Sequence, residues 1–299
     1  MRFRRIEPPI ACVQSGTRIE RSTLRPYLGL MTEAGSLQSF IARHRRLFVL
    51  TGAGCSTSSG IPDYRDGDGK WKRMQPVPYQ AFMGDSSTRR RYWARSLLGW
   101  RRFSRALPND THRALARLEA MGRIELLLTQ NVDRLHQAAG SARVIDLHGR
   151  LDRVRCMDCG RELPRDELQD ELVRLNPDWL ALDAADAPDG DADLESADFS
   201  SFAVPSCRRC DGVLKPDVVF FGENVPRHRI EAAAKQLERA DAMLVVGSSL
   251  MVYSGFRFVQ MAAAAGKPLA AVNLGRTRAD GLLTLKVEQA SEAALAFLL

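Results

Sequence analysis

The chain has 299 residues, 45% of them hydrophobic and 26% charged, and a formal net charge of +7. That length holds one large domain and a smaller one, and the composition is globular, not disordered or fibrous. No apolar run approaches the roughly 18–20 residues of a membrane span. The positive charge alone admits any anionic partner, from a dinucleotide to nucleic acid or an acidic protein.

Residues 1–27 show no clear periodicity. Their arginines precede no apolar core, so a variable N-terminal extension is expected and not a secretory signal. A helix is expected over 36–46, where Leu37, Phe40 and Ile41 share a face. LFVL (47–50) then runs into TGAGCSTSSG, which reads as a buried parallel strand entering a glycine turn. A Gly/Asp/Pro-rich loop reaches to about 78, and helices follow over about 87–107 and 112–121.

Three later runs repeat the design of the first. IELLL (124–128) ends in Thr129-Gln130-Asn131, MLVV (243–246) in Gly247-Ser248-Ser249, and LAAV (269–272) in Asn273-Leu274-Gly275. Open parallel sheets bind ligands beyond the carboxyl ends of their strands, so four such tips predict one shared dinucleotide crevice. A fifth run, VVFF (218–221), is expected to join or border the same edge. The acidic stretch 181–198 reads as a solvated loop.

Several residue sets carry possible chemistry. In Gly52-Ala53-Gly54-Cys55-Ser56 the glycines let backbone N–H groups close on a phosphate, though a plain turn reads equally well. The third glycine, Gly60, lies too far on for a dehydrogenase motif. Cys156, Cys159, Cys207 and Cys210 form two C-x-x-C pairs with the spacing of a closed structural zinc site, in a reducing compartment. Gln130, Asn131 and Asp133 offer two amides and a carboxylate at one strand tip, suited to ribose hydroxyls and a carboxamide, or to capping a helix. Of the five histidines, His148 stands apart at the junction of the sheet and the cysteine module. There a neutral imidazole can act as a general base. Cys55 has no base near it in sequence and reads as packing.

GAGCSTSSGIPDYR, TQNVDRLH, LHG, the two C-x-x-C pairs, KPDVVFFGE and VGSSL together resemble the sirtuin (Sir2) family of NAD-dependent protein deacylases, from about residue 28 to the end. Segments such as RYWAR, LNPDW and LGRTRAD look like its class II branch, the mitochondrial sirtuin-four type. The resemblance implies an α/β fold: a Rossmann-like parallel sheet with helices on both faces, over 28–150 and 213–299. It would carry a helical insertion at about 66–107 and a zinc-binding small domain at 151–212.

It further implies that His148 is the catalytic base, assisted by Asn131 and Asp133, and that the four cysteines bind zinc. NAD would contact Gly52, Ala53, Gly54, Ser56, Asp63, Tyr64, Arg65, Gln130, Asn131, Asp133, Gly247, Ser248, Ser249, Asn273, Leu274, Gly275 and, by a looser match, Ser291. Acyl-lysine proteins or peptides would meet Val219, Phe220, Phe221, Gly222 and Glu223, adding as a strand between 222–223 and 252–254. Tyr92 and Arg95 match the Y-x-x-R spacing of the family's demalonylase/desuccinylase branch and raise an acidic-acyl preference as a hypothesis. The implied products are free lysine, nicotinamide and O-acyl-ADP-ribose, in the cytoplasm or, in a eukaryote, the mitochondrion. Two rivals stand beside this reading: mono-ADP-ribosylation of proteins on the same NAD site and, far behind, a non-catalytic zinc module binding nucleic acid.

Overall fold

The computed structural model describes residues 33–299, except 65, 67, 69–71, 73–75, 183–184, 188–189 and 195–197. The first half runs through α1 (Glu33–Arg43), β1 (Leu47–Thr51), α2 (Tyr79–Gly84), α3 (Ser86–Phe103), α4 (Asp110–Ala120), β2 (Ile124–Thr129), α5 (Leu135–Ala138) and β3 (Val144–Asp146). A second group follows: β4 (Gly149–Cys156), β5 (Glu162–Pro164), α6 (Arg165–Leu175), β6 (Ala185–Ala187), β7 (Asp191–Asp193) and β8 (Leu214–Val218). The chain closes with α7 (Arg227–Arg239), β9 (Ala242–Val246), α8 (Tyr253–Ala264), β10 (Leu269–Val272), β11 (Leu285–Val287) and α9 (Ser291–Leu295).

Six strands form one parallel sheet in the order β11-β10-β9-β1-β2-β3. Counted by chain position within the sheet and read from β3, this is 3-2-1-4-5-6, the doubly wound order of a dinucleotide-binding fold. The strand order reverses between β1 and β9, where such folds open their crevice. Every residue of β1, β2, β9 and β10 is buried, as the unbroken apolar runs require of strands covered on both faces. Alternate side chains part to the two sides. Leu47 and Val49 pack with α1, α4 and α9, while Phe48 and Leu50 pack with α7 and α8. The helix expected over 36–46 thus runs Glu33–Arg43, and the one expected over 87–107 runs Ser86–Phe103.

The smaller module is a three-stranded antiparallel sheet, β5-β4-β8, faced by α6. VVFF borders the edge of the parallel sheet without joining it: all four residues line the crevice, and the first, Val218, ends β8, antiparallel to β4, where Gly149 pairs with it. The helical insertion packs on the small module. Phe82, Trp93, Leu97 and Trp100 pack with Val154, Leu168, Phe202 and Leu214, so α2 and α3 complete the small module. The stretch 181–198 is not wholly a solvated loop, since β6 and β7 pair as a ribbon against α3. Gly190 leaves a built Cβ 3.2 Å from the Phe103 ring, Ala192 is buried, and Asp191 pairs with Arg95 at 2.9 Å. Its acidic composition hid one carboxylate that answers an arginine on another element. Among the described residues no helix is long and apolar enough to cross a membrane.

Candidate active site and metal centre

At the sheet's reversal point the loops after β1 and β9 interlock through backbone. Gly52 N–H donates to Val246 O (3.2 Å) and Gly54 N–H to Gly247 O (2.9 Å). A Cβ on Gly52 would stand 2.8 Å from Ser248 Cβ, and one on Gly54 would stand 2.9 Å from Gly247 O. Gly247 has φ +60° and would bring a Cβ to 2.5 Å from Cys55 N. Close loop packing therefore demands these glycines before any phosphate does.

The crevice above them is a cavity of about 620 Å³, within the range of small-molecule sites. Gly52, Ala53, Gly54, Ser56, Asp63, Tyr64, Gln130, Asn131, Asp133, His148, Gly247, Ser248, Ser249, Asn273 and Leu274 all line it, as do Val219, Phe220, Phe221, Gly222 and Glu223. Gly275 and Ser291 do not. Ser291 is buried against α4, where its Oγ accepts from Thr111 Oγ1 at 2.8 Å, so it fastens the C-terminal helix. Arg65 lies outside the described residues.

The polar groups at the β1 and β2 tips are ordered by one another. Asn131 Nδ2 donates to Gly52 O (3.1 Å) and Ser56 Oγ (3.0 Å), and Asp133 accepts from Ser56 Oγ (2.7 Å) and Leu135 N (2.9 Å). Burial raises the Asp133 carboxyl above its ordinary range, against the pull of those two donors. Gln130 Nε2 reaches Ser248 Oγ at 2.8 Å, tying the β2 tip to the β9 tip. Cys55 is fully buried on Val246 O at 3.1 Å, and burial drives its thiol far above the ordinary range. It packs and does not react.

His148 follows β3, where Leu147 N–H still donates to Thr129 O (2.8 Å), and precedes the β4 glycine. Its Nδ1 lies 3.0 Å from the Gln130 carbonyl, which can only accept, so Nδ1 carries the proton. That leaves Nε2 with its lone pair facing the cavity, where it accepts from Ser254 Oγ at 2.7 Å. Burial lowers the imidazole to about 4, the Gln130 carbonyl opposes the shift, and Arg229 adds to it. The ring is neutral at pH 7 in the tautomer a base requires.

Beneath the substrate-side wall, Lys215 is buried and pairs with Glu223 at 3.1 Å, while Glu223 accepts from Phe220 N at 2.9 Å. The Gly222 carbonyl is already engaged by Gln80 Nε2 (3.1 Å) and Glu223 N–H by Phe220 O (3.0 Å), which limits the backbone left there for a docking strand. Tyr92 and Arg95 do not line the cavity. Tyr92 is wedged edge-on against Phe82 and tilted against Phe220, and Arg95 is neutralised by Asp191. The acidic-acyl hypothesis loses its free cation.

The cysteines converge at the far end of β4. All four sulfurs lie within 4.8 Å of one another, with Cys156 and Cys210 at 3.5 Å and Cys159 and Cys207 at 3.8 Å. A tetrahedron of thiolates at about 2.3 Å from zinc has edges of about 3.8 Å, so the set fits a zinc ion and leaves no open coordination position. Disulfides are excluded at these separations.

A model of the Sir2 family matches residues 52–254. The chain belongs to this family. A curated relative from Bradyrhizobium diazoefficiens named NAD-dependent protein deacetylase 2 is 74% identical over 264 residues, covering 88% of this chain and 97% of that one. One from Xanthomonas campestris pv. campestris named NAD-dependent protein deacetylase is 70% identical over 269 residues, covering 90% and 92%. A solved structure described as Sir2 with a p53 peptide and NAD+ is 31% identical, with a TM-score of 0.69 over 88% of this sirtuin and 95% of that chain.

Two residues of this sirtuin's site carry no mark in its sequence. Ser254, on the Nε2 of His148, sits in MVYSG with nothing to separate it from a helix-start serine. Lys215 reads as an exposed lysine until the fold buries it. Only KPDVVFFGE, with Lys and Glu eight apart, hinted at a pair.

Proposed function

We propose that this sirtuin removes acyl groups from protein lysines at the expense of NAD. The observation that carries the reading is His148: a neutral imidazole with its Nε2 lone pair turned into the crevice that the parallel strand tips line. NAD, when bound, would supply an electrophilic ribose carbon with nicotinamide as its leaving group. The glycine loops at 52–54 and 247–249 offer backbone donors to its phosphates. Gln130, Asn131 and Asp133 offer hydrogen bonds to the nicotinamide ribose, and Asn273 to the adenosine end. His148 Nε2 takes a proton from a ribose hydroxyl, with the Gln130 carbonyl steadying the ring as it gains charge. Phe220 and Val219 form an apolar wall that keeps water from the acyl group. Zinc on the four cysteines holds the small module that supplies this wall, through β4 and β8. Thiols paired for zinc and not for disulfides favour a reducing compartment, and the cytoplasm is our proposal.

His148→Tyr tests this. It should abolish NAD-dependent release of free lysine from an acetyl-lysine peptide while zinc content and circular dichroism stay as in the parent. Undiminished turnover in that variant would refute the role of His148.

A further inference from the structure

The cavity mouth carries an imbalance of charge that neither the proposed chemistry nor the zinc site uses. Along the walls the carboxylates are answered within the protein. Asp63 pairs with Lys72 at 2.5 Å, Glu223 with Lys215 at 3.1 Å, Asp133 is bonded to Ser56 and Leu135, and Asp66 has a partner. The cations at the other rim are not answered. Arg257 and Arg276 line the cavity, Arg278 stands beside them, and no described carboxylate pairs with any of the three.

These arginines are held in place without a counter-charge. Arg257 and Arg278 stack against Tyr253, at 5.1 and 6.0 Å from its ring centroid, and Arg278 also covers Phe256 at 4.5 Å. Tyr253 is 54% exposed and opens α8, whose N-terminal dipole adds to the positive field. The next residue is Ser254, which touches the base His148. The cationic cluster therefore starts one residue from the reaction centre and extends to the loops assigned to the cofactor, where Arg278 N–H donates to Ser249 O at 2.9 Å and Arg276 follows Gly275.

We propose that Arg257, Arg276 and Arg278 select acyl-lysine segments that carry Asp or Glu beside the target lysine. This rests on the deacetylase reading and adds a substrate class to it. Among the polar atoms of the two stacked guanidiniums, Arg278 Nη1 donates to Met251 O at 3.4 Å, which leaves further N–H groups to donate to carboxylates, and pre-ordering of Arg257 and Arg278 on Tyr253 lowers the entropy lost when they do. Partly exposed pairs are individually weak, so the selectivity comes from several acting together and is screened by salt.

The test uses zinc-loaded full chain and three acetyl-lysine peptides alike except for acidic, neutral or basic flanks, with turnover at saturating NAD and peptide binding by fluorescence anisotropy. At about 50 mM salt the acidic-flank peptide should show a KM and Kd roughly 10-fold below the basic-flank one, shrinking to about 2-fold or less near 0.5 M. Arg278→Gln should narrow the low-salt gap at least about 3-fold. Arg276→Glu, at an exposed position that disturbs no stack, should do the same, with the KM for NAD moving less than about 2-fold. Equal constants for all three peptides would overturn the selectivity while leaving deacylation standing. So would an intact gap accompanied by a raised KM for NAD, which would assign the arginines to the dinucleotide phosphates. Failure to turn over any of the peptides would instead remove the deacetylase reading, and the proposal with it.

Discussion

Lowering the pH from 7.5 to 5.5 should destabilise this protein through two buried histidines, His112 and His136, and a third, the half-buried His148. His112 is held at about 4 and His148 at about 4, both chiefly by burial. His136 is pushed well below its ordinary value by burial, with His112 adding to it. The His112 and His136 rings lie 4.7 Å apart, and each has one nitrogen buried without a hydrogen-bond partner, so charge on either meets no compensating group. An unfolded chain binds protons at these residues near pH 6.5, whereas the folded one resists until about 4. Stability is therefore complete above pH 6.5 and is lost as the pH falls toward 4. At pH 5.5 His112 and His148 each withdraw roughly 1–2 kcal/mol and His136 acts in the same sense, a large part of the 5–15 kcal/mol typical of a folded domain. Asp133, Asp191 and Asp217, whose carboxyls burial raises, act in the opposite sense. Urea denaturation of zinc-loaded protein at the two pH values measures the net change. Comparison with His148→Asn isolates one contribution, and the drop should shrink by roughly a third. An unfolding free energy that stays the same at both pH values, or a His148→Asn drop equal to the parent's, would refute the reasoning.

Ser254→Ala should leave the ring held only by Gln130 and lower kcat about 3- to 30-fold, with Ser254→Thr recovering most of the loss. A kcat equal to the parent's would show that the 2.7 Å contact to Nε2 does not position the base. Cys159→Ser should reduce bound zinc below about one per chain and expose β4, β5 and β8 to hydrogen exchange before β1, β2 and β9. Simultaneous exchange of both sheets would contradict the separate packing of the two cores. Because Asp191 neutralises Arg95, an acetyl-lysine peptide should be turned over at least about 10-fold faster than its succinyl counterpart. A preference for succinyl would reinstate Arg95 as an acyl-binding cation.

Much of the site was readable in the residues alone. Short apolar runs ending in glycine or small polar groups predicted four buried parallel strands with their tips along one edge of the sheet, and β1, β2, β9 and β10 are those strands, whereas VVFF, with the same pattern, is not. Two C-x-x-C pairs carry their geometry in their spacing. The order of the strands, the loop interlock at Gly52, Gly54 and Gly247, and the tautomer of His148 required the fold, because each depends on residues more than 15 positions apart meeting at hydrogen-bond distance. The same holds for the contacts that no local pattern shows. Val218 pairs antiparallel with Gly149, α3 turns its tryptophans to the zinc module, Ser291 binds Thr111, and Arg95 finds Asp191 across 96 residues. Local pattern states which side chains need burial or a counter-charge. Which partner satisfies that need is settled only when the chain has closed on itself, since burial energy depends on area and a salt bridge on distance, and neither is written in sequence separation.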